Sequence, residues 1–328
     1  MIRTLIFLVL ALTLSCVASL HLGLRVYAPE TVWSALNGGA STEEIIIRTL
    51  RVPRTIIGAL TGAALAISGL LMQSVTRNPL AEPGLLGINA GAAFAVTVGL
   101  TVFALSSPLA IGALAVIGAL IATALVFGFG LTLGPSGNTG PILLIGVTIA
   151  ALLASLTQVM LLLDETALET LLFWLSGGFA DRPLIMIWGG AIALPVALIA
   201  CASMASGIDA LRLDDQSAQG IGVGVTRIRL AALTLAALLA AAAVAMAGPV
   251  VFLGLIAPHI ARRISDGSRG FFHLALITML CGAVLAVLAD ILARLIVAPG
   301  EAPISAVLAL VGAPFLMYLL RSRRAVAL

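Results

Sequence analysis

Arg77-Asn78-Pro79-Leu80-Ala81-Glu82-Pro83-Gly84-Leu85-Leu86-Gly87 is a polar island between two long apolar runs. Pro79 and Pro83 each lack a backbone N–H and push the residue before them away from helical dihedrals. Gly84 and Gly87 permit turns and close backbone approach. The wording predicts that one helix stops near 73–76, that the chain turns, and that the next helix starts near 84–88. So short a connection between membrane-length runs makes the two helices neighbours.

Composition places those runs in lipid. The chain has 328 residues, 61% hydrophobic and 9% charged, where ordinary globular domains carry about 25% charged residues. A soluble protein of this composition would have no polar surface to present to water. The fold class is therefore all-α, a polytopic membrane protein read as one domain over 1–328.

All seventeen basic residues are Arg and none is Lys. A nucleotide-binding loop of the form G-x-x-x-x-G-K-[ST] needs a Lys on the phosphates, so the chain has no ATP site of that kind. The Gly-rich run 134–140 reads as a loop. The net charge of +3 does not point to nucleic acid, because the Arg residues fall in short loops between apolar runs, where membrane topology places them. Cys16, Cys201 and Cys281 stand far apart in apolar runs and read as small buried hydrophobes.

Ten candidate spans follow in order: 2–24, 55–76, 85–105, 109–132, 141–163, 184–206, 228–247, 249–264, 271–297 and 303–320. The first reads as an uncleaved helix rather than a signal peptide, since no convincing cleavage boundary follows Leu14-Ser15-Cys16. Residues 27–54 form the longest polar connection and are expected to hold short helices outside the bilayer. On the second span Gly58, Gly62, Ala66 and Gly69 recur every three or four residues, a small-residue face suited to close helix contact. Residues 166–183 are too short to cross; 171–175 followed by Gly177-Gly178 predicts a short or re-entrant helix near 168–176. With the N-terminus cytoplasmic, eleven Arg residues (Arg3, Arg77, Arg212, Arg227, Arg229, Arg262, Arg263, Arg269, Arg321, Arg323, Arg324) face the cytoplasm. Six (Arg25, Arg48, Arg51, Arg54, Arg182, Arg294) face outward. That bias agrees with the positive-inside rule.

Several stretches in the same order carry a resemblance. They are Arg51-Val52-Pro53-Arg54, Gly62 to Gly69 with Gln73, the island itself, and Asn89-Ala90-Gly91-Ala92. Further on come Ala247-Gly248-Pro249, Gly254 through Pro258-His259-Ile260-Ala261-Arg262, Ala289-Asp290 to Arg294, Glu301-Ala302-Pro303 and Gly312-Ala313-Pro314. Together they resemble the permease subunits of type II ABC importers, the FecCD-like family that carries ferric siderophores, haem and cobalamin. The resemblance covers roughly 45–320. It implies a two-fold dimer with a second permease subunit, either itself or a paralogue. It also implies two ATPase subunits that bind ATP and Mg, a soluble binding protein on the other side, and a bacterial inner-membrane location with both termini cytoplasmic. No cofactor is implied for this chain.

The resemblance also assigns roles. Arg51, Arg54 and Arg294 match positions that face acidic residues of the binding protein. Arg offers a fork suited to carboxylates, and snorkelling to the interface is the plainer reading of any one of them. Asp290, four residues before Arg294, is expected to neutralise or orient it. Residues 207–226 match the paired coupling helices that meet the ATPase, centred on Leu213-Asp214-Asp215-Gln216-Ser217-Ala218-Gln219-Gly220-Ile221-Gly222. Asp214 or Asp215 is placed to start a helix there, and Gly220, Gly222 and Gly224 to end it. Asn78, Leu80, Thr139 and Gly140 match the cytoplasmic gate. Gln158 is a candidate pathway-lining residue, with interhelical hydrogen bonding as the alternative. His259 reads as a packing residue; no ligand set for a metal accompanies it.

An ion-coupled secondary transporter would want carboxylates at midplane. Here the acidic residues lie at helix ends or in loops, with Asp290 the nearest exception. A membrane enzyme would want convergent catalytic side chains within the spans. The reading is therefore an importer permease for a ferric siderophore, with haem or cobalamin as alternative cargo.

Overall fold

The computed structural model describes residues 2–133, 140–162, 164–180, 182, 184–265, 270–297, 300 and 302–321. The helices are α1 (Ile2–His21), α2 (Pro29–Leu36), α3 (Thr42–Ile46), α4 (Val52–Thr76), α5 (Ile88–Thr101), α6 (Pro108–Leu133) and α7 (Gly140–Leu161). They continue with α8 (Glu165–Leu175), α9 (Ile185–Ala210), α10 (Asp215–Gly220), α11 (Val225–Ala247), α12 (Leu253–Ile264), α13 (Phe271–Ile296) and α14 (Ile304–Arg321). Among the described residues there is no β-strand.

The island folds as its prolines and glycines dictate. α4 ends at Thr76, and Arg77 caps it in the left-handed region at φ 51°. The Asn78 side-chain oxygen accepts the Leu80 N–H at 2.9 Å. Pro83 opens a 3-10 turn (Pro83–Leu86), and Gly87 at φ 75° leads into α5.

Ten helices occupy the ten apolar runs. Seven of the described helical segments are long and apolar enough to cross a membrane, those that contain α1, α4, α6, α7, α9, α11 and α13. α5 and α12 have 14 and 12 residues. At 1.5 Å per residue they reach about 21 and 18 Å, short of a hydrocarbon core of about 30 Å. α12 starts late because Gly248 (φ 73°) and Phe252 (φ 66°) bracket a non-helical stretch.

Two other stretches differ in detail from expectation. The segment before α4 is helical from Thr42 onward, joined by a π turn over Ile47–Arg51. Pro53 is tolerated because it lies in the first turn of α4. Residues 207–226 form the last turn of α9, one six-residue helix α10, and the start of α11. α8 matches the short helix expected near 168–176 and starts earlier, at Glu165, because Asp164 caps it by accepting the Thr166 and Ala167 N–H groups at 3.1 Å.

α4 is the axis of the bundle, packed against α13, α11, α12 and α9. Of its apolar window 83% is buried, against 11% for α7. The small-residue face explains how neighbours come so close. A Cβ on Gly62 would run into Gly282 and Ala286 of α13, one on Gly282 into Ala66, and one on Gly69 into the backbone of Gly254 in α12. Ser68 Oγ donates to the Ala236 carbonyl at 2.6 Å and ties α4 to α11. α5, α6 and α7 form a second group that joins the first mainly through α6 against α11. So α4 and α5, expected as neighbours across the short island, pack in different groups because the 3-10 turn carries α5 away; α1 lies along α13.

Gly69→Val should push α4 and α12 apart and cost about 1–3 kcal/mol, seen as a lowered unfolding temperature of the detergent-solubilised protein. Gly189→Val, whose Cβ meets open space, should stay near wild type in the same measurement.

Candidate functional site

Polar chemistry concentrates at the two ends of α4, about 37 Å apart for its 25 residues. Where α4 begins, Arg54 grips Asp290 of α13. Its Nε lies 2.9 and 3.1 Å from the two carboxylate oxygens and its Nη2 2.9 Å from Oδ1. Arg294 Nη2 takes the other oxygen at 3.0 Å. Asp290 is 2% and Arg294 3% exposed, so one carboxylate holds two guanidinium groups away from water. The i,i+4 pairing of Asp290 with Arg294 is as expected; Arg54, from a distant part of the chain, joins it.

Arg51 is bound differently. Its Nη1 donates to the Leu20 carbonyl at 2.7 Å and to Leu22 at 3.4 Å, and its Nη2 to Arg25 at 2.5 Å. The Tyr27 ring lies 4.2 Å from its Cζ, a cation–π contact. Arg294 Nη1 adds bonds to the Ser19 and Leu22 carbonyls at 3.1 and 3.0 Å. The last carbonyls of a helix have no partner within it. Here two arginines from other helices supply partners for the end of α1, and the Ser19 hydroxyl joins Arg294 and Thr55 at 2.8 Å each. A cavity of about 390 Å³ opens beside this cluster, lined by Arg25, Tyr27, Arg51, Arg54 and Arg294 with Leu24, Ile46, Leu50 and Ala180. Tyr27 and Ser19 carry no motif that would have marked them in the sequence.

Where α4 ends, α10 stands on the Asp214 cap. The Asp214 carboxylate accepts the Ser217 N–H and hydroxyl, each at 2.7 Å. Those bonds hold the Asp214 carboxyl below the usual carboxylate range, so the cap persists at neutral pH and is lost only as pH falls through that lowered value. Asp215 Oδ1 accepts from Arg77 Nη2 at 2.8 Å and Arg229 Nη2 at 2.9 Å. Arg77 also donates to the carbonyls of Leu211 (2.8 Å) and Leu213 (2.5 Å). Asp209 accepts the Phe271 N–H at 2.9 and 3.0 Å, joining α9 to α13. From the island, Glu82 Oε1 accepts the Phe252 N–H at 2.8 Å just before α12. Burial pushes the Glu82 carboxyl above the usual range, against the effect of that bond.

The remaining candidates are dispersed. Asn78 and Leu80 stand on the loop after Arg77, with Leu80 exposed. Gly140 begins α7. Thr139, the rest of 134–139, residues 266–269, Glu301 and the tail arginines Arg323 and Arg324 lie outside the described residues. Gln158 is on the exposed face of α7, far along the helix from Gly140. Gln73 accepts from Arg262 Nη1 at 2.7 Å and bridges α4 to α12. His259 contacts the Leu255 carbonyl at 3.0 Å and meets the Phe315 ring edge to face. Among the described residues no three His, Cys, Asp or Glu side chains cluster as metal ligands.

An apolar helical bundle with charged networks at both ends of a buried axis is the architecture of a multi-pass membrane protein. The chain belongs to the FecCD transport family, whose model matches residues 10–322. It is 37% identical to the Fe(3+) dicitrate transport system permease protein FecC of Escherichia coli, over 85% of this chain and 84% of that one. It is 36% identical to the ferric enterobactin transport system permease protein FepD of the same organism, over 96% and 94%. It is 35% identical to the vitamin B12 import system permease protein BtuC of Vibrio cholerae, over 96% and 92%. A solved structure described as an inward-facing conformation of an ABC transporter of the metal-chelate type superposes with a TM-score of 0.84 at 27% identity. That match covers 98% of this chain and 99% of that one.

Asp290→Ala removes the carboxylate shared by two buried guanidinium groups and should destabilise the protein by about 3–5 kcal/mol, read as a fall in unfolding temperature. Glu82→Ala leaves the Phe252 N–H without its acceptor and should cost about 1–3 kcal/mol. Glu82→Gln keeps an acceptor and removes the charge. Because the Glu82 value is raised on folding, its contribution weakens as pH climbs toward that value, so the Gln variant should match or exceed wild-type stability at pH 7.

Proposed function

We propose that this chain is the permease subunit of an ATP-driven importer for a ferric siderophore, set in a bacterial cytoplasmic membrane with both termini cytoplasmic. The observation that carries the reading is the pair of networks at opposite ends of α4. One is rich in guanidinium groups beside an open cavity; the other presents a capped, largely exposed helix. An import cycle needs a surface for delivery at one end and a surface for the motor at the other. The absence of Lys from all 328 residues leaves no nucleotide-binding loop with a phosphate-bound Lys in this chain, and this reading gives the motor to a separate ATPase pair that binds ATP and Mg.

On this reading Arg51, Arg54 and Arg294 face a soluble binding protein. Three guanidinium groups with one bonded carboxylate leave positive charge at that end, which favours acidic side chains on the partner. Since their present bonds run to backbone carbonyls and to Asp290, docking would act through the field of the cluster or by exchange of those bonds. The segment from Leu213 to Gly222 meets the ATPase. Asn78, Leu80, Thr139 and Gly140 form the cytoplasmic gate, and Gln158 lines the pathway against a second permease subunit. The chain makes and breaks no covalent bond; its work is alternating access.

The relatives named for ferric dicitrate and ferric enterobactin support an iron chelate as cargo. The vitamin B12 permease at 35% identity keeps a corrinoid as the second reading, and haem belongs to the same class of large rigid chelates. The deciding experiment is uptake into proteoliposomes that hold this chain with its ATPase and binding protein, offered labelled ferric siderophore, haem and cobalamin in parallel. Accumulation of ferric siderophore that stops without the ATPase is the expected result. Accumulation of cobalamin or haem instead would change the cargo. Uptake that survives loss of the ATPase and collapses with the proton gradient would overturn the importer reading.

A further inference from the structure

We propose that Asp215 and Arg77 form the mechanical link between α10 and the loop that carries Asn78 and Leu80, making them positioning residues for the gate. The inference rests on the importer reading above and adds a transmission route to it.

Three observations carry it. First, Arg77 is attached on both sides of the turn that leads into α10. Its guanidinium holds the Leu211 and Leu213 carbonyls and the Asp215 carboxylate together, at 2.8, 2.5 and 2.8 Å. A displacement of α10 therefore moves the Arg77 side chain with it. Second, the Arg77 backbone is the left-handed cap of α4 at φ 51°, a conformation that non-glycine residues hold only where surroundings over-determine it. The next residue, Asn78, fixes Leu80 by its side-chain bond at 2.9 Å. A pull on Arg77 thus acts at the hinge of the 77–82 loop. Third, the far end of that loop is also tethered, by Glu82 to the Phe252 N–H at 2.8 Å. The loop is a strap held at one end by α10 and at the other by the start of α12.

Stability is a poor explanation for the pair. The Arg77 and Asp215 side chains are 38% and 33% exposed, and ion pairs in such positions add little to folding. Arg229 shares the same carboxylate oxygen at 2.9 Å from the first turns of α11. α10 is thereby clamped between a rigid span and the strap, so motion at α10 reaches both.

The test measures ATP hydrolysed and chelate imported in the same proteoliposomes for wild type, Asp215→Ala, Arg77→Ala and the double variant. Chelate imported per ATP hydrolysed should fall by about fivefold or more in each single variant. The loss in the double variant should be smaller than the two single losses combined, because Arg77 and Asp215 share one bond of the link. Asp215→Glu should recover most of the ratio, which a general loss of folding would not allow. If the Ala variants fail to assemble with the ATPase, Asp215→Asn and Arg77→Lys carry the same comparison. An unchanged ratio in assembled variants, or losses that add in the double variant, would overturn the link. Wild-type hydrolysis without uptake of any chelate would instead strike the importer reading itself.

Discussion

α4 has no face to spare. In lipid there is no hydrophobic force to bring helices together, because the surroundings are as apolar as the side chains; contact must come from close fit and from polar bonds. α4 uses both. Gly62, Ala66 and Gly69 let α13 and α12 approach to backbone contact, and Ser68 reaches across to Ala236. Everything else is placed relative to this axis. α13 brings Asp290 and Arg294 to its first turn, α12 brings Arg262 to Gln73 near its last, and α11 brings Arg229 to the neighbourhood of Arg77.

The charged groups obey the same constraint. A charge withdrawn from water must be paired or it costs several kcal/mol, and each buried guanidinium at the start of α4 has strong acceptors. Arg54 and Arg294 divide Asp290, and Arg51 uses carbonyls that a helix end would otherwise leave unsatisfied. The opposite end is wetter and looser. Arg77 and Asp215 are partly exposed, and α10 is only six residues long. One end of the axis is buried and closely bonded; the other is built from short, half-exposed pieces.

Much of this was legible in local wording. The turn at 77–87 followed from two prolines and two glycines, the small-residue face from its spacing, and a helix start at Asp214 or Asp215 from an acidic residue ahead of Gln216; the structure makes Asp214 the cap. The Asp290–Arg294 pair followed from an interval of four. What escaped was non-local. Arg54 finds Asp290 across 236 positions and Arg77 finds Asp215 across 138, and no periodicity reports such a meeting. Arg51 takes backbone carbonyls as partners, and a carbonyl is present at every residue, so nothing in the spelling marks which ones. Residues 27–54 read as a separate polar connection, yet the helix runs from Thr42 through the π turn and Pro53 into α4. The short α12 escaped because the apolar run read as a span starts at Pro249, while the left-handed Phe252 backbone keeps the helix from starting before Leu253.

The borrowed cap of α1 has a consequence for biosynthesis. Chains are made from the N-terminus at about 5–20 residues per second, and Arg294 follows Ser19 by 275 positions. Roughly 14–55 s therefore pass between the emergence of the α1 end and that of its last capping group. Through that interval the Ser19 carbonyl lacks its Arg294 bond, while the Leu22 carbonyl can already accept from Arg51. The cap is thus completed late, and the C-terminal end of α1 is a part of the bundle whose final structure waits on Arg294.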